Sequence, residues 1–140
     1  MDVQIEVTTA EAVAGFLTAA WGQADTGLDW STQRFVTRAT LPASGETVGA
    51  ARFRLRAGVA HLSEIVVRDD MRRRGIGAAL LADFETRAGA ADCHKLALIT
   101  DAVGPARHFY EAHGYQVEGL LHRHYHGRDF VAMCKFLAPG

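Results

Sequence analysis

The segment TVGAARFRLR, residues 47–56, sets Arg52, Arg54 and Arg56 in strict alternation with Ala51, Phe53 and Leu55. A period of two marks a strand with one buried and one wet face, whereas a helix would scatter the same arginines around its circumference. The chain must therefore contain a sheet, one face of which carries arginine. RFVTRAT (34–40) precedes this strand across a turn at PASGE, and VAHLSEIVV (59–67) follows it across Ala57 and Gly58. Three consecutive strands with short turns predict a meander.

Helical spacing brackets the meander. Thr8-Thr9-Ala10-Glu11 has the spacing of a capping box, and Val13, Phe16, Leu17, Ala20 and Trp21 then follow the rhythm of one buried stripe. A short alternating stretch at 4–7 reads as a strand before that helix, and GQADTGLDW (22–30) as a polar loop after it. Beyond Asp70, Ile76, Leu80, Leu81, Phe84 and Ala88 define a second stripe that fades at Gly89. KLALIT (95–100) predicts a buried strand, and PARHFYEAH (105–113) a short helix opened by Pro105 and stopped by Gly114. YQVEGLLHRHYH, a turn at Gly127 and RDFVAMCKFL predict a closing hairpin. Strand, helix, three strands, helix, strand, helix, two strands is an α+β order.

At 140 residues, 49% of them hydrophobic and 22% charged, the chain is expected to form a single domain, 1–140, with a sizeable core. A net charge of −1 gives no global attraction to nucleic acid or anionic membrane, so any anion binding has to be local. The first residues lack a basic segment leading into a long apolar one, no run approaches membrane-spanning length, and Cys93 and Cys134 lack any metal or disulfide spacing. A cytoplasmic protein without membrane or nucleic-acid partners is expected, as a monomer or a homodimer.

The segment VVRDDMRRRGIGAALL, at 66–81, joins the last meander strand to the second helix. A helix start offers unpaired N–H groups and the positive end of the dipole. Gly75 and Gly77 let a ligand approach the main chain, and Arg72, Arg73 and Arg74 add guanidinium groups suited to a pyrophosphate. A solvated charge run or a nucleic-acid patch would have the same composition. No Gly-Lys-Ser/Thr follows, which excludes a P-loop, and the missing third glycine and preceding meander disfavour a dinucleotide fold.

Arg72-Arg73-Arg74-Gly75-Ile76-Gly77 resembles the Arg/Gln-x-x-Gly-x-Gly/Ala signature of the GNAT superfamily of N-acetyltransferases. Ala106, Phe109, Tyr110, Gly114 and Tyr115 resemble its second signature, although Val103 stands where the family often has Asn. Element order extends the resemblance over nearly the whole chain. It implies a mixed, mostly antiparallel sheet of about six to seven strands flanked by three to four helices, splayed between the fourth and fifth strands. It also implies acetyl-CoA as co-substrate and a primary amine as acceptor, with no metal. A non-catalytic acyl-CoA-binding regulatory module on the same fold is the alternative.

By the same resemblance, Ile65, Val66, Val67, Arg72, Arg73, Arg74, Gly75, Ile76, Gly77, Ala78 and Phe109 would hold the cofactor. The amide of Val66, within one residue, would polarise the thioester carbonyl. Tyr110 would protonate the departing thiolate, and Glu64 is the candidate base. His61, Trp30, His122, His124 and Tyr125 are expected to line the acceptor side. His122, His124 and His126 sit at alternate positions and would share one face of a regular strand; that spacing suits a metal, but a polar pocket wall is the expectation.

Overall fold

The computed structural model describes residues 2–24 and 27–139. The chain divides into two compact units, residues 1–30 and 31–140. The first carries helix α1, Ala10–Ala24, which begins one residue later than a Thr8 cap requires. Thr9 Oγ1 accepts the Ala12 amide at 3.2 Å and so caps the helix itself. Residues 4–7, expected as a strand, are coil and pair with nothing among the described residues. Four alternating residues supply no partner for their own backbone, and a strand exists only beside another. Within this unit Phe16 and Trp21 are exposed, because one helix offers no second apolar face to cover them. Trp30 ends the unit, about half exposed; of the expected loop, residues 25 and 26 lie outside the described residues.

The second unit is a six-stranded sheet. Its strands are β1 Thr32–Thr40, β2 Thr47–Arg56, β3 Val59–Val67, β4 Lys95–Asp101, β5 Gln116–Leu121 and β6 Phe130–Phe136, in the spatial order β1-β2-β3-β4-β6-β5. Only β3 and β4 run parallel, joined by the crossover helix α2, Ile76–Ala90. Helix α3, Pro105–Ala112, follows β4 with Pro105 in its first turn.

The alternation in β2 is realised residue by residue. Ala51, Phe53 and Leu55 are buried and Arg52 and Arg56 exposed. Phe53 stacks on Phe35 of β1 at 5.1 Å and meets Phe84 of α2 edge-on at 5.0 Å. The core lies on this one face: Leu80, Leu81, Phe84 and Ala88 of α2 join Leu96 and Leu98 of β4, Tyr110 of α3, and Val131 and Met133 of β6. Five large side chains there, Phe84, Leu81, Leu96, Met133 and Val131, are essentially fully buried, each contributing about 1.5–3 kcal/mol of burial energy.

One irregularity shapes everything that follows. Arg52 pairs with Glu64 but Phe53 pairs with Leu62, so Ser63 is an extra residue in β3. Parallel pairing of β3 with β4 ends at the same place, with Leu62 opposite Leu98. Beyond it the two strands part, which is the expected splay; it falls between β3 and β4 because residues 4–7 form no strand.

Candidate active site

The splay opens into a cleft of about 520 Å³. Ile65, Val66 and Val67 of β3 form one wall; Met71, Arg72, Arg73, Gly75, Gly77 and Ala78 form the floor at the start of α2. Ala106, Phe109 and Tyr110 of α3 form the other wall. Residues from both sequence signatures, about thirty positions apart, thus line one cavity of ordinary small-molecule size.

The floor is made of backbone. Gly75 precedes α2 at φ 79° and Arg73 lies at φ 63°, so the chain turns twice through left-handed conformations before the helix begins. Ala79 is the first residue whose amide is taken, by the Gly75 carbonyl at 3.0 Å. The amides of residues 73–78 donate to nothing among the described residues, and no side chain caps this end. At Gly77 a side chain would meet Phe109 and Val67 at 3.6–3.7 Å, inside the cleft. Arg72 is committed to Asp69 at 2.9 Å and to the Val67 carbonyl at 3.4 Å, yet still borders the cavity. Arg68 pins the preceding loop by bonding Asp70 at 2.6 Å and Glu46 at 3.2 Å. Those bonds raise the Arg68 pKa and hold the Asp70 carboxyl below its usual range.

The side chains of two expected cofactor residues lie elsewhere. Ile76 packs into the core against β2, and Arg74 is exposed outside the cleft lining. The cause is helical rotation: Gly77 and Ala78 face the cavity, so Ile76 faces the sheet. Gly49, which sequence reasoning missed, makes room for it, since a Cβ there would stand 3.0 Å from Ile76 Cγ2 and 3.1 Å from Leu80 Cδ1. A lone glycine inside an alternating strand was the available signal. Met71 and Ala106 were also not anticipated as lining residues.

The register also decides which β3 amides face the splay. Arg68 N–H donates to the Val48 carbonyl at 2.8 Å, and the Val66 carbonyl faces Gly49 of β2. Antiparallel strands direct alternate residues to the same neighbour, so Val66 bonds toward β2 while Ile65 and Val67 point their N–H groups into the gap. Val66 borders the cleft, but its amide is directed away from it.

Tyr110 is buried, and that burial pushes its phenol pKa up, so the group is protonated at neutral pH. Its ring packs edge-on against Phe109 at 5.2 Å and Tyr115 at 5.7 Å. Glu64 forms an ion pair with Arg52 at 2.5 Å on the face opposite the core, outside the cleft lining. His61 is half-buried on that same face, its pKa lowered first by desolvation and then by Arg54. The hairpin histidines correct an expectation. β5 stops at Leu121, so His122, His124 and His126 occupy the turn, where His126 has φ 55° and strand alternation is lost. His124, Tyr125 and Phe130 cluster there, with ring centroids 4.3–5.8 Å apart. No group of three His, Cys, Asp or Glu side chains arranged to hold a metal occurs among the described residues. No described helix is long and apolar enough to cross a membrane. Trp30, expected on the acceptor side, belongs to the first unit, and the residues that line the cleft to the second.

The site is thus a mostly antiparallel sheet opened at one parallel pair, with an amide-lined helix start and a buried tyrosine across the opening. The sequence profile of the Acetyltransferase (GNAT) family matches residues 9–115, and the chain belongs to that family. Solved structures share its fold. An acetyltransferase from Bacillus cereus superposes with a TM-score of 0.79 at 21% identity, over 96% of this chain and 98% of that one. The ribosomal-protein-S18-alanine N-acetyltransferase from Escherichia coli gives 0.69 at 20% identity, over 87% and 77%. An aminoglycoside 6'-N-acetyltransferase complexed with coenzyme A gives 0.69 at 17%, over 93% and 91%. No curated protein matches the chain.

Proposed function

We propose that this protein transfers the acetyl group of acetyl-CoA to a primary amine. The observation that carries the reading is the floor of the cleft: the amides of 73–78 are unclaimed among the described residues, and Arg73, Gly75, Gly77 and Ala78 line the cavity that Tyr110 borders. The coenzyme A seen in the aminoglycoside acetyltransferase supports the donor by likeness of fold.

Acetyl-CoA supplies an acetyl group already activated as a thioester. The 73–78 amides and the dipole of α2 bind its pyrophosphate, and Arg72 and Arg73 reinforce them with charge. Ile65 and Val67 offer N–H groups to the pantetheine arm and to the thioester oxygen, where negative charge grows as the amine attacks. A C–N bond forms and the C–S bond breaks. Tyr110 gives its phenolic proton to the leaving thiolate, a role that its raised pKa suits at neutral pH. The ammonium of the acceptor loses one proton to Glu64, directly or through water, with Arg52 fixing the carboxylate, and the second N–H proton, shed as the amide forms, returns through water to the Tyr110 phenolate.

The test is acetyl-CoA binding by calorimetry followed by thiol release across a broad amine panel. Saturable binding with amine-dependent release is expected. No binding overturns the reading, and binding without release on any amine turns it into the non-catalytic alternative.

A further inference from the structure

Of the alternating arginines of β2, Arg54 takes no part in the chemistry above, yet the register gathers it with further arginines beside Arg52 and Glu64. Phe35 and Phe53 stack in the core, so their neighbours Arg34 and Arg54, directly opposite one another, both project from the other face. Arg52 lies on that face opposite Val36, and Arg38 opposite Ala50. From β3, His61 faces Arg54 and Glu64 faces Arg52. Glu64 is the one carboxylate that β1, β2 and β3 place there, and it is already bound to Arg52. Among the described residues Arg54 bonds only Ser63 Oγ, at 3.5 Å, and Arg38 only Thr47 Oγ1, at 3.3 Å. Like charges directly opposite across a strand pair oppose folding, so the Arg34 and Arg54 pair is a cost that an anion would remove.

Location gives this face a role. Helices α2 and α3 both pack on the core side, so the donor's cradle fills that side of the splay. The second substrate has to reach the splay from the arginine side. Arg52 is one strand spacing from Glu64, about 5 Å, and Glu64 is two residues from Val66 at the cleft, about 7 Å by strand rise.

We infer that this arginine face docks an acid group on the acceptor, so that the substrate is an amine that also carries a carboxylate or a phosphate. The inference rests on the amine acetylation proposed above and narrows it. A guanidinium pairs with either acid by charge-assisted hydrogen bonds.

The experiment compares kcat/KM for matched acceptors: γ-aminobutyrate against butylamine, and the phosphate monoester of ethanolamine against ethanolamine. At least one acid-bearing member is expected to be preferred about tenfold, the size of one such bond, and the two pairs tell carboxylate from phosphate. In the Arg34→Gln/Arg54→Gln double variant the preference collapses below about twofold while Tm is no lower than in the wild type. Arg87→Gln, on α2, keeps it. Equal use of both members of each pair, or a preference that survives the double variant, overturns the inference and leaves the proposed function standing. Inhibition by a single-stranded oligonucleotide, with no preference among small acids, assigns the face to nucleic acid and also overturns it. Transfer to no amine at all removes both.

Discussion

Tyr115 donates its hydroxyl to Glu85 Oε2 at 2.8 Å, fastening the segment after α3 to the middle of α2. Lys135 of β6 joins them, with Nζ 3.2 Å from Glu85 Oε1 and 3.1 Å from the His113 carbonyl. Burial, followed by the Glu85 bond, pushes the Tyr115 phenol pKa well up, so the tyrosine stays a donor. The Tyr115 amide bonds the Tyr110 carbonyl at 3.0 Å. The two helices that border the cleft are therefore held together on the side away from it.

Removing that carboxylate strands a partly buried ammonium and a phenol. Glu85→Ala is expected to lower unfolding free energy by about 2 kcal/mol, read by urea denaturation. A loss below a few tenths of that size means solvent already satisfies both partners.

Tyr110→Phe keeps the ring and deletes the proton. Acetyl-CoA affinity by calorimetry should stay the same while kcat falls about tenfold or more. Unchanged turnover takes Tyr110 out of the reaction and leaves it a packing residue.

Gly49→Ala tests how α2 is seated. The new Cβ meets Ile76, Leu80 and the Val66 carbonyl at 3.0–3.3 Å, and the carbonyl belongs to the ladder and cannot yield. Overpacking of this kind costs about 1–3 kcal/mol, and the displaced first turn should weaken acetyl-CoA binding as well. Retention of both stability and affinity contradicts this seating of α2 on Gly49.

These tests fall on features of unequal visibility in the sequence. The β2 alternation, the α2 stripe and the Pro105 helix are local patterns, and each element formed where its period required. The bulge at Ser63 is different in kind. It exists only because β2 and β3 pair in one register, and it determines that Ile65 and Val67, not Val66, turn their amides to the splay. The room made by Gly49 and the turn holding His122, His124 and His126 likewise depend on what lies across the sheet or hairpin. Residues 4–7 failed as a strand for the same reason, since alternation proposes a strand but only a neighbour completes it.

His61 gives a pH dependence. Its folded pKa lies below the ordinary 6.5, through burial first and Arg54 second. The unfolded chain then binds a proton more readily, so stability is lost as pH falls from about 6.5 toward the folded value. His61→Gln should flatten the decline in Tm between about pH 7 and pH 5. An unchanged decline locates the acid sensitivity in the carboxylates.

The claim on which the functional account rests is that backbone amides at the start of α2 take the pyrophosphate. Titration of coenzyme A into nitrogen-15-labelled protein reads those amides one by one. Saturable shifts should be largest at residues 73–78, with Ile65 and Val67 following along β3. A titration that saturates elsewhere, or leaves 73–78 unmoved, contradicts the account.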